Sequence, residues 1–189
     1  MINALKQMLQ TRYRESQYPA LKRQMDEWIC HRPLEGIKVL DATPVFFNTG
    51  LKYLALLLGG ADLTVCAHKQ LPFDPKAVSF FTSIGLRVIS APSDQDKWDV
   101  ICDCAGNLRT AATNFGVVEL TGSGRCRYQN HPQPVFLADG GKIKIIETGL
   151  GTGDGVLRAL DQLGYEFGSG QSAVLFGGGK VGCGVALGP

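Results

Sequence analysis

Gly177, Gly179 and Gly182 stand as G-x-G-x-x-G directly after the apolar run 173–176. Glycines at that spacing allow a tight turn, a close approach by a pyrophosphate and close packing of the following helix, whose N-terminus favours an anion. With Lys180 and Val181 between them, these residues form the candidate cofactor-binding set. A complete site of this kind also needs an acidic residue ~20 positions further on to hold a ribose. That position lies past Pro189, so the expectation is either a longer parent protein that completes the site or a last segment put to another use. Metal chemistry is not expected. Cys30, Cys66, Cys102, Cys104, Cys126 and Cys183 include no C-x-x-C pair, and His31, His68 and His131 are far apart, which excludes zinc-site spacing. Reduced, partly buried thiols of a cytosolic protein are the expected state.

The elements that must position such a turn follow from the apolar pattern. Ile2, Leu5, Met8 and Leu9 share one helical face, and after Pro19 so do Leu21, Met25, Trp28 and Ile29, so two amphipathic helices open the chain. Short apolar runs at 37–40, 63–67, 86–89, 100–102, 117–120 and 173–176 then read as strands. Between them, 51–58 and the stretch after Asp74-Pro75 read as helices, and 155–163 as a short helix stopped by Gly164. Residues 121–133 read as loop. Strands alternating with helices imply right-handed crossovers and a mainly parallel sheet flanked by helices, an α/β fold of Rossmann-like type.

Composition narrows the partners. Nineteen Lys and Arg face seventeen Asp and Glu, a formal charge of +2, too small for nucleic acid or an anionic membrane to be the partner. The apolar run 53–61 is half the ~18 residues a membrane span needs, and the first residues lack a basic segment leading into an apolar one. A soluble cytoplasmic protein is expected. Fifteen of the 24 glycines lie from Gly140 onward, so the last part of the chain is built differently from the rest.

In order along the chain, several segments resemble the N-terminal half of the S-adenosylhomocysteine hydrolase family. Tyr18-Pro-Ala-Leu resembles its Met-Pro-Gly-Leu, and Arg32-Pro-Leu-Glu-Gly-Ile-Lys-Val resembles its Lys-Pro-Leu-x-Gly-Ala-Arg-Ile. Gly60-Ala61 stands where the family has Gly-Ala before its second strand. Asp99-Val-Ile-Cys-Asp103 with Gly106 and Leu108 resembles its Asp-x-Ile-x-Asp-Asp-Gly-Gly-Asp-Leu, and 177–184 resembles its Gly-Tyr-Gly-x-Val-Gly-Lys-Gly. The resemblance implies a substrate-binding α/β domain over 1–152. A hinge and the first strand, turn and helix of an NAD-binding domain would follow over 153–189. It implies NAD-dependent hydrolysis of S-adenosylhomocysteine, or of a related nucleoside thioether, through transient oxidation of a ribose carbon.

Carried over by position, the resemblance assigns Glu119 and Asp74 to the ribose hydroxyls, and Asn48, Thr49 and Thr121 to substrate contacts. Lys142 or Lys144 would be the lysine paired with Glu147 in the family's Lys-x-x-x-Asp-Asn. Neither spacing matches, and a solvated strand with alternating charge is the plainer reading of 142–147. The plainer reading of Asp74 is a helix cap, and Glu119 reads equally as an exposed loop acid. Departures are concentrated in the catalytic set: the family's histidine falls on Pro44, its first threonine on Phe46, and a threonine of Glu-Thr-Thr-Thr-Gly on Leu120. Buried ligand hydroxyls left unpaired by such changes cost on the order of 1 to 3 kcal/mol each. Three functions therefore stand at this point: the NAD-dependent hydrolase of a longer parent, a non-catalytic nucleoside-binding or regulatory module on the same fold, and an unrelated NAD-dependent oxidoreductase. An unpaired strand 173–176 would make the protein a homo-oligomer, in the simplest case a dimer.

Overall fold

The computed structural model describes residues 1–93, 95–165 and 172–187, in two compact units, Met1–Leu137 and Ala138–Pro189. In the first unit, α1 (Ile2–Arg12) and α2 (Pro19–His31) precede β1 (Lys38–Ala42), α3 (Gly50–Leu58), β2 (Asp62–Cys66), α4 (Pro75–Ser83) and β3 (Arg87–Ile89). Three more strands follow: β4 (Trp98–Asp103), β5 (Thr113–Glu119) and β6 (Val135–Leu137). All six strands are parallel, in the order β3-β2-β1-β4-β5-β6. The α/β class and the parallel sheet read from the sequence are what the chain adopts. Because the order runs outward from β1 in both directions, β1 and β4 flank a topological switch point, where open sheets of this kind bind ligands beyond the strands' carboxyl ends.

The two faces of the sheet are covered differently. Val39, Leu63 and Val65 point to one face and pack under Leu5, Leu9, Met25, Tyr53 and Phe81 of the helices. Burying each such side chain stabilises the fold by about 1.5–3 kcal/mol. Leu40, Ala42, Cys66, Ile101 and Val117 point to the other face, where Leu108 and Tyr128 cover them from the loops that follow β4 and β5. The 121–133 stretch read as loop holds one short 3-10 turn, Arg125–Tyr128, and β6 follows it. At three residues after Pro134, β6 is too short to show a period of its own.

The second unit contains α5 (Lys142–Ile146), a single π-turn over Glu147–Gly151, α6 (Thr152–Gln162) and α7 (Lys180–Ala186). Its start at Ala138 lies ahead of the 152/153 division drawn from the resemblance. Two sequence expectations fail here. Residues 142–147, read as a strand, are helical, and 173–176 pairs with no strand, its Val174, Leu175 and Phe176 side chains lying exposed. The cause is shared: a parallel strand exists only against a partner, and among the described residues this unit has no strand to pair with. Among the described residues no helix is long and apolar enough to cross a membrane.

Candidate functional site

At the carboxyl end of β5, Glu119 is fully buried. One carboxylate oxygen accepts from the backbone N–H of Ala105 at 3.0 Å and of Gly124 at 3.2 Å, and the other accepts from the N–H of Gly122. The Thr121 hydroxyl also donates to the first of these oxygens, at 3.2 Å. Glu119 is thus neither an exposed loop acid nor an open ribose acceptor; it ties the loop after β4 to the loop after β5. Those loops touch closely enough that a Cβ on Gly124 would lie 2.4 Å from the Gly106 nitrogen.

Opposite Glu119 in register lies Asp103, the last residue of β4, also fully buried. Its Oδ2 accepts from the Tyr128 hydroxyl at 2.5 Å and from the Leu108 N–H at 3.1 Å, while Oδ1 has no partner. Burial pushes this carboxyl above the ordinary aspartate range, with the Glu119 charge adding in the same direction and the Tyr128 bond opposing. The nearby thiols stay protonated for the same reason. Burial raises Cys66 to about 11 and Cys102 to about 12, so neither is a nucleophile at neutral pH.

On the other face, at the end of β1, Asp41 is fully buried and forms an ion pair with Lys52 of α3 at 2.5 Å. Lys52 also donates to the Thr43 hydroxyl at 2.6 Å, and that hydroxyl donates to Asp41 at 2.6 Å. The Lys52 side chain keeps 36% of its exposure, so its third N–H is left for solvent or a ligand. The sequence reading missed this group. Its signal was present as the lone charge in the apolar helix 51–58, in the first turn of α3, with an acid at the end of a buried strand.

The remaining assigned residues serve local structure. Asp74 accepts from the Lys76 N–H at 2.8 Å and caps α4, with Pro75 in its first turn. Thr49 donates to the Pro44 carbonyl at 2.9 Å and braces the loop after β1, while Asn48 is exposed. Thr121 is exposed, with its hydroxyl also 2.7 Å from that of Ser123.

No protein-family model and no curated protein matches this chain.

In the second unit, Lys144 pairs with Glu147 at 2.8 Å, one helical turn apart, and Lys142 is exposed. Lys180 is held by the Asp139 carboxylate and carbonyl, and Val181 is exposed. Gly177 has a positive φ of 110°, and a Cβ on Gly182 would lie 1.9 Å from the Gly177 carbonyl oxygen. The glycine turn thus has the close approach its spacing implied. A dinucleotide needs more: a strand leading into the turn and an acid for the ribose. Among the described residues neither is present, so these residues fit the turn and not a whole NAD site.

Proposed function

We propose that this chain binds a nucleoside-type small molecule at the carboxyl edge of the six-stranded sheet and does not hydrolyse it. The observation that carries this reading is the state of the three carboxylates at that edge. Asp41, Asp103 and Glu119 are fully buried and engaged with Lys52 and Thr43, with Tyr128 and Leu108, and with backbone N–H groups. A general acid or base must reach a substrate proton within roughly 3 Å, and these groups instead hold the loops that frame the crevice. The nucleoside class is what the family resemblance implies. Calorimetric titration with adenosine and with S-adenosylhomocysteine, run beside an assay for released homocysteine, tests it. Binding without release supports the proposal, and binding of neither compound overturns it.

A second reading, NAD-dependent hydrolysis by a longer parent, is favoured by the ordered series of family-like segments ending in the glycine turn. A chain extended through a full cofactor domain that binds neither NAD nor NADP would reject it. Self-association is expected alongside either reading, and a monomer in sedimentation at high concentration would remove that expectation.

A further inference from the structure

The first two helices leave a cleft between them. α1 and α2 each pack on α3 and hardly on each other, and the seam between them holds a cavity of about 160 Å³. Its floor is apolar and buried: Leu9 comes from α1, Met25 from α2, and Leu54 and Leu58 from α3. We propose that this cleft binds a free aliphatic α-amino acid of leucine size, with its side chain on that floor and its two charged groups at the rim. The proposal is independent of the nucleoside reading and uses none of the residues named for it.

The rim carries both signs of charge, on separate elements. On α1, Lys6 and Gln10 stand one turn apart on the same helical face. Glu15, in the 3-10 turn Glu15–Gln17, and Tyr18, the residue before α2, border the cleft from the connection between the helices. Lys22 lines it as well, but its ammonium is taken by Asp26 at 2.6 Å. Lys6 and Glu15 differ from that pair: among the described residues neither forms an ion pair, with each other or with a third group. Lys6 is half-buried, and a partly desolvated ammonium gains more from a counter-charge than one in open solvent does.

A zwitterion complements such a rim. The ligand's carboxylate accepts from the Lys6 ammonium and the Gln10 amide, and its ammonium donates to the Glu15 carboxylate and the Tyr18 hydroxyl. Its side chain covers Leu54, Leu58 and Ile29, a residue of the cleft that is otherwise exposed. A purely apolar ligand leaves both charges unanswered, and a simple anion meets the repulsion of Glu15. The cavity lies below the ~300 Å³ at which drug-sized sites begin, which suits one amino acid and excludes a dinucleotide. Walls held by helices already packed on α3 cost little ordering on binding.

The test is calorimetric titration of the full chain with L-leucine, with isocaproate, which lacks the ammonium, and with isoamylamine, which lacks the carboxylate, beside NMR of the methionine methyl groups. The variants are Lys6→Gln and Glu15→Gln, neither of which enters the buried core, so the circular dichroism spectrum should be unchanged in both. The proposal expects leucine to bind and to shift the Met25 methyl resonance. Each analogue, and leucine with each variant, should bind about tenfold more weakly, the effect of one lost charged hydrogen bond. Absence of leucine binding overturns the proposal, as does leucine binding that is unchanged in both variants or that leaves the Met25 methyl unmoved. Isocaproate binding as tightly as leucine overturns the zwitterion and the part assigned to Glu15.

Discussion

At the scale of single residues, the buried acids hold more than they react. Lys52→Met strands the fully buried Asp41 without its counter-charge. Breaking a buried pair costs ~3–5 kcal/mol, and the partial exposure of Lys52 reduces that to about 2 kcal/mol. The double variant Asp41→Asn/Lys52→Met should recover most of the loss, as read by urea unfolding midpoints. Asp103 gives a pH dependence of definite sign. Burial raises its carboxyl in the folded chain, so the native state holds the proton more tightly than the unfolded state. The resulting stability is complete below the unfolded value of about 3.9 and is lost as pH rises through the folded value. Asp103→Asn removes the titration and keeps an acceptor for Tyr128 and Leu108. Between pH 4 and 7 the variant's stability relative to the native chain should therefore rise, and a difference independent of pH would refute it. These roles were only partly legible in the sequence. Glu119 and Asp103 were visible as acids at strand ends, but nothing in the spacing told an open carboxylate from one saturated by backbone N–H groups.

At the scale of elements, local signals were reliable wherever an element's own sequence carries its stop and start. Asp74-Pro75 announced α4 and the cap is present; Asp74→Ala should cost ~1 kcal/mol, measured by chemical unfolding, and leave adenosine binding unchanged. The failures, 142–147 and 173–176, were runs whose apolar pattern suits a strand while no partner strand is at hand. Lys142-Ile-Lys-Ile alternates with a period of two over too few residues to exclude a helix, and in the helix Lys144 meets Glu147 one turn on.

At the scale of the molecule, Met1–Leu137 contains every strand of the sheet and both buried clusters. A fragment of residues 1–137 should therefore unfold in one cooperative transition with the native near-ultraviolet signal. A broad transition without that signal would mean that residues after 137 complete its core. The same fragment holds Lys52 and the three buried carboxylates, so adenosine binding, if shown by the full chain, should be retained by the fragment.

The sequence by itself determined the class of fold, the parallel strands through β5, the helix cap at Asp74 and the crowding of the glycine turn, because periodicity, caps and close-approach glycines are local properties of the chain. Only the tertiary structure decided what the acids do. Whether a carboxylate is open or spent depends on loops brought from 105, 108, 122, 124 and 128, which are far apart in sequence and meet only once the sheet has formed.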